Sequence, residues 1–297
     1  MKMLDGSFRT KAARIVLIAA ALFSPMFAAK LVAQARNNAQ AQTPATPAAA
    51  APADFTGYWV SVVTEDWRWR MVIPDKSDYT NVPLNAEGRR IADAWDLAKD
   101  QAAADQCKGY GAAAMMNIPG RLHIYWQDDN TLRIDADSGT QTRLLHFGGK
   151  AQPNEAPTWQ GYSAAAWGEP NEVIDNRVGG GGPVGQGGPE HPEQDSPNPP
   201  QAPITRGARS SYLKAVTTHM LPGYLRKNGV PYGDQATVEE YMVRFSDPYR
   251  NDNWLMVTTV VTDPQYLIEP FITHSHFKKI PDNSGWDPTT CRAGEPR

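Results

Sequence analysis

Cysteine is scarce in this chain. Its 297 residues include Cys107 and Cys291 alone, and no Cys-x-x-Cys occurs. Two cysteines make a poor metal site, whereas an isolated pair in an oxidising compartment is most simply a disulfide. Such a bridge ties the end of an early helix to the C-terminal tail, worth ~3–5 kcal/mol on the chain-entropy model; two separate buried thiols are the alternative. Long apolar runs are missing after residue 29, so no later segment is expected to cross a bilayer as a helix. No Gly-x-Ser-x-Gly elbow is present, and no glycine-rich loop opens a helix, which removes the usual hydrolase and nucleotide signatures. The glycines at 179–182 belong to a linker, not a phosphate cradle. Basic residues are not in surplus: 29 Lys and Arg face 32 Asp and Glu, for a net charge of −3. With no basic stripe, nucleic acid and anionic lipid are disfavoured as partners. No internal repeat stands out.

The N-terminus has the order of a secretory signal peptide: Lys2, Arg9, Lys11 and Arg14, then an apolar run from Ile15 to Ala29, then Ala-x-Ala sites ending at Ala35 and Ala41. Residues 1–35 hold five Lys or Arg and one Asp, so their removal takes the net charge from −3 to −7. The mature chain is therefore expected in the periplasm or outside the cell. Residues 36–53, rich in Ala, Pro, Gln and Thr, are expected to form a disordered tether.

Alternation is abundant beyond it. From Phe55 to Ile73 the chain reads FTGYWVSVVTEDWRWRMVI. As one extended strand, it places Trp59, Ser61, Glu65, Trp67 and Trp69 on one face and Tyr58, Val60, Val62, Arg68 and Arg70 on the other. A sheet face of this kind is either a large aromatic core or a pocket wall. From Asn85 to about Gln106 the spacing of Ile91, Trp95, Ala98 and Ala102 predicts one long helix, with Asn85 as its N-cap. Short alternating segments follow, with a hairpin signal at Asp129-Asn130. Residues 169–210 lose all periodicity and read as a flexible Gly/Pro-rich insertion. The series resumes over Ser211–Met220, Thr237–Phe245, Asp252–Thr262 and Phe271–Ile280. The predicted fold class is all-β with one long helix: an antiparallel β-barrel of about eight to nine strands spanning residues 54–280, followed by a tail over 281–297.

Gly57 and Trp59 form a Gly-x-Trp at the start of the first strand, which resembles the opening of lipocalin and wider calycin barrels. The resemblance implies an eight-stranded barrel that binds a small apolar molecule in its mouth. More broadly, TGYWVSVVTEDWRWRM, PGRLHI followed by Trp126 and DDNTL, GYLRKNGVPY and a late HFKK look like a group of exported bacterial proteins of unassigned function. That likeness spans most of Phe55–Lys279 and implies no activity.

The candidate site residues follow from strand parity. Glu65, among Trp59, Trp67 and Trp69, is expected to have a raised pKa and to serve as a general acid or base. His276 is its expected partner, because barrel closure brings first and last strands together. Arg244 is expected to hold an anionic group, or else to pair with Glu240, which shares its face with Val238 and Met242. Trp126 and Trp159 join Trp59, Trp67, Trp69 and Glu240 as expected ligand contacts. His219, His274 and His276 are the alternative zinc set; otherwise neither a metal nor a cofactor is implied. Two functions fit: an exported barrel that binds a small hydrophobic or aromatic molecule in a Trp-lined cavity, or a cofactor-free acid–base enzyme (lyase, isomerase, hydratase or hydrolase) acting there. Convergent polar groups at one end of an apolar cavity favour the enzyme, and a single polar anchor favours the binder.

Overall fold

The structure is a computed structural model that describes residues 45–149, 156–168, 212–247 and 249–296. The expected signal peptide (1–35), the first part of the tether (36–44) and the insertion at 169–210 lie outside the described residues.

The strands are β1 (Gly57–Val62), β2 (Arg121–Asp128), β3 (Thr131–Ala136), β4 (Gln141–Phe147), β5 (Tyr162–Gly168), β6 (Tyr212–Thr218), β7 (Gly223–Arg226), β8 (Val230–Tyr232), β9 (Thr237–Asp247), β10 (Asp252–Thr262) and β11 (Phe271–Ile280). Nine of them close into a barrel in the order β1-β11-β10-β9-β6-β5-β4-β3-β2, while β7 and β8 form a separate hairpin. First and last strands do meet: Val62 pairs with His276 and Tyr58 with Ile280. Closure leaves the barrel itself without an unpaired edge, the exposure that alternating strands of this length must avoid. Asp129-Asn130 is the predicted β2–β3 turn, with the Asn130 amide donating to the Asp128 carboxylate at 2.8 Å.

Two expectations are corrected. The barrel is not wholly antiparallel, because β4 and β5 run parallel, with Leu145 opposite Ser163. The single long helix is two, α2 (Ala86–Ala94) and α3 (Leu97–Ala102), preceded by the short α1 (Trp67–Arg70). Asn85 caps α2 as predicted, accepting from the Gly88 amide. Asp96 then caps α3 by accepting from Ala98, and Trp95 leaves the helical conformation between them. The Trp95 indole donates to Asp100 at 2.7 Å and lies over Gly229, where a Cβ would come within 2.0 Å of its ring. Gly229 has φ +81°, so the β7–β8 turn needs glycine for both backbone and space.

Side chains of alternate parity fill the barrel. Trp59, Leu122, Ile134, Leu145, Leu213, Met242, Leu255 and Phe277 form one apolar cluster. Leu84, Met220, Leu225, Val230, Tyr232, Val238, Val261 and Phe271 form a second toward the other mouth. On β9, Glu240 sits between Val238 of the second cluster and Met242 of the first, and it is met by Arg143 from β4. Arg143 Nη1 donates to Glu240 Oε1 at 2.9 Å, and Nη2 donates to Ser163 Oγ and Thr217 Oγ1 at 3.2 and 3.0 Å. Both charged side chains are fully buried. Taking an ion pair wholly out of water is costly, and the two hydroxyls offset part of that cost at Nη2, while Arg143 Nε keeps no hydrogen-bond partner.

Both mouths are covered. At the Trp59 end, Phe55 stacks on Trp167 at 5.8 Å, the Trp167 indole donates to Pro47 O, and the Ala48 amide donates to Asp129 O. Within the stretch expected as a tether over 36–53, the described chain touches the barrel at Pro47 and Ala48. At the opposite end α2, α3, the β7–β8 hairpin and the C-terminal tail form a cap, stapled by the predicted Cys107–Cys291 disulfide. No helix among the described residues is long and apolar enough to cross a membrane.

Candidate functional site: a cationic cleft at the capped mouth

The run from Phe55 to Ile73 is not one strand. β1 ends at Val62, Asp66 takes the left-handed conformation at φ 51°, and α1 begins at Trp67. Helical geometry separates residues that strand parity had placed together. Trp67, expected to line a cavity, is 63% exposed. Arg68 turns to solvent and pairs with Asp78 at 3.1 Å. Trp69 is half-buried and Arg70 buried, so the helix lays one aromatic ring and one guanidinium over the barrel mouth.

Trp69 and Arg70 line a cleft with Asp66, Leu225, Arg226, Lys227 and Phe271. Water centres can occupy about 40 Å³ of it, room for roughly three waters. Three of the lining side chains are buried cations: Arg70, Arg226 and Lys227. Among the described residues, no carboxylate lies within ion-pair distance of any of them. Arg70 donates from Nε to Asn117 O at 2.8 Å and from Nη2 to Ser61 Oγ at 3.3 Å, and its buried Nη1 has no hydrogen-bond partner. The Arg226 guanidinium lies 4.7 Å from the Trp69 ring centre and 5.7 Å from that of Phe271, and it donates to Thr80 O. Lys227 Nζ donates to Tyr110 Oη at 2.6 Å and to the carbonyls of Glu295 and Pro296. Burial lowers the pKa of all three by disfavouring the charged form: Arg70 downward, Arg226 to about 10 and Lys227 to about 7. Nearby acids offset this only in part, namely Glu65 and Asp66 for Arg70, Asp66 and Asp78 for Arg226, and Glu295 for Lys227.

Glu65 and His276 meet, with Oε1 2.7 Å from Nδ1. The meeting takes place outside the barrel. On β11 the buried residues are Phe271, Thr273, Ser275 and Phe277, so His274 and His276 point outward. Glu65 is 35% exposed at its side chain. Partial burial raises its pKa, but hydrogen bonds with Thr64 and His276 and the field of His276 outweigh this, and the net shift is downward. The raised pKa expected from aromatic walls is corrected, because those walls are absent: Trp59 lies in the core and Trp67 in solvent.

Arg244 is not part of this pair. It shares parity with Val238, Glu240 and Met242 on the inner face, and it donates to Asn253 at 2.7 Å rather than to Glu240. The barrel wall therefore separates it from His276. Glu240 is fully buried and ion-paired to Arg143, which corrects its role as a ligand contact. Trp59 is fully buried and donates to Phe55 O at 3.0 Å, making it a core residue. Trp126 packs against Phe147 and Trp167 in the aromatic cluster at the far mouth. Trp159 is half-buried in the turn before β5, its carbonyl accepting from Ala112. Of the zinc set, His219 contacts Thr218 and His274 contacts Thr258, and no group of three potential ligands converges on a metal position among the described residues.

Strand parity puts Arg70 on the face opposite Trp69 and gives Arg226-Lys227, within a connection between strands, no role, so the cations of the cleft were missed. The one available signal is a pair of adjacent cations inside GYLRKNGVPYG, a stretch otherwise rich in buried residue types. No protein-family model, curated protein or solved structure matches the chain. The closed nine-stranded barrel is compatible with a lipocalin-like barrel.

Proposed function

We propose that this is an exported β-barrel protein that binds a small molecule with an aromatic or hydrophobic portion. Binding takes place in the cleft at the capped mouth rather than in the barrel interior. The observation that carries this reading is the contrast between the two places. The interior holds two apolar clusters with the Arg143–Glu240 pair between them. The mouth keeps an open recess walled by Trp69, Leu225 and Phe271. Export is supported by the signal-like N-terminus together with the disulfide, a pairing suited to an oxidising compartment.

The enzymatic alternative rests on Glu65, His276 and Arg244 acting together. Glu65 and His276 lie outside the wall and Arg244 inside it, which favours binding over acid–base catalysis. Native mass spectrometry of periplasmic material is the test, followed by titration of the mature protein with phenylacetate and its amide and read by tryptophan fluorescence. A co-purified small molecule, or a saturable signal lost in Trp69→Ala with the fold retained, is the expected result. If nothing co-purifies and neither probe changes the spectrum, the binding reading fails.

A further inference from the structure

We propose that the cleft is an anion site: it takes the carboxylate of a small aromatic or aliphatic acid onto Arg70 and Arg226, beside Lys227, with the acid's apolar body against Trp69 and Phe271. This rests on the binding reading above and adds the class of ligand.

The argument begins with charge. The mature chain is acidic overall, yet the cleft gathers three cations against a single lining carboxylate, Asp66. Each cation is at least nine-tenths buried, and among the described residues none is ion-paired. A buried charge with no counter-ion within ion-pair distance is costly, and an anion bound in the cleft would offset that cost. Arg70 supplies the directional evidence. Its Nε and Nη2 are anchored to Asn117 and Ser61, which fixes the guanidinium plane, while Nη1 is buried and has no partner. An incoming anion is the partner that both satisfies that N–H and pairs the charge.

Shape selects within the anions. With about 40 Å³ for water centres, the recess admits a head group of a few atoms and leaves the remainder of a ligand at the opening. Arg226 lies against both Trp69 and Phe271, and a guanidinium presents its N–H donors to a planar carboxylate in its own plane. The same two rings give an apolar body something to lie on, which inorganic phosphate does not use.

Isothermal titration of the mature, oxidised protein with phenylacetate, phenylacetamide and inorganic phosphate separates the possibilities. The acid is expected to bind at least tenfold more tightly than its amide and more tightly than phosphate. Arg70→Gln is expected to weaken the acid by about tenfold or more while leaving the amide unchanged. Arg226→Met is the substitute should Arg70→Gln fail to fold. Equal binding of acid and amide overturns the anion inference and leaves the binding reading standing. Phosphate binding as tightly as phenylacetate overturns the part assigned to the apolar body. Absence of binding by all three overturns the inference, and the co-purification experiment then decides the reading beneath it.

Discussion

Arg143 and Glu240 each sit on a strand face with apolar neighbours: Leu145 and Phe147 beside the arginine, Val238 and Met242 beside the glutamate. The structure brings these two opposite charges together inside the barrel, where the sequence reading had placed Glu240 without Arg143. The missing step was that they satisfy one another, a simpler fate for Glu240 than ligand contact. Removing one partner strands the other charge in the core, so Glu240→Ala is expected to cost ~3–5 kcal/mol in urea unfolding. The double change Arg143→Met with Glu240→Leu should recover most of that loss, and a double variant as unstable as the single one would contradict the pairing. Lys227 gives a prediction in pH. Its folded pKa is lowered from 10.5 to about 7 by burial, so between those values the unfolded chain holds a proton that the folded chain lacks. Stability contributed at this site is then lowest below pH 7 and rises toward pH 10. Urea melts at pH 6.5 and 9.5 should show the wild type gaining on Lys227→Met as pH rises; a difference independent of pH would refute the shift.

Elements were legible where a local rule matched the tertiary context. The β2–β3 hairpin followed from Asp129-Asn130, and the late strands followed from alternation over long stretches. They were not legible where one residue overrode the pattern. The apparent strand 55–73 breaks at Asp66, whose left-handed φ no periodicity reports, and so Trp67 and Arg70 exchanged their expected environments. The helix over 85–106 breaks at Trp95 because its indole is drawn to Asp100 and Gly229, and Asp96 was a readable N-cap within the continuous helical spacing. The end of α3 carries a fault of a familiar kind. Ala104 follows the cap at φ 58°, with its amide donating to Gln101 O and the Asp105 amide to Asp100 O. This is the Schellman arrangement, whose left-handed position favours glycine. Ala104→Gly should therefore stabilise by about 1 kcal/mol, raising the thermal midpoint, and a lowered midpoint would contradict the assignment.

At the scale of the whole molecule, the barrel interior holds two apolar clusters and a buried ion pair, and the proposed binding site lies on the cap. Nothing in strand alternation reveals this, since a packed barrel and a hollow one share the same inward pattern. The difference lies in which inward residues find partners, and that depends on register between strands far apart in sequence. The cap is made from segments with little periodicity of their own, stapled by Cys107–Cys291 across a separation of 184 residues. Replacing both cysteines by serine is expected to cost ~3–5 kcal/mol. It should also raise hydrogen exchange over residues 291–296, the tail that meets Lys227 and whose Pro296 lines the cleft. Unchanged exchange there would mean that the tail is held without the bridge.

The claim that binding belongs to the capped mouth is tested most directly by crystals of the mature protein grown with 4-bromophenylacetate and measured at the bromine edge. The account predicts one anomalous peak beside Trp69 and Phe271, with the carboxylate on Arg70 and Arg226. A peak inside the barrel, against Trp59 and Phe277, would contradict it.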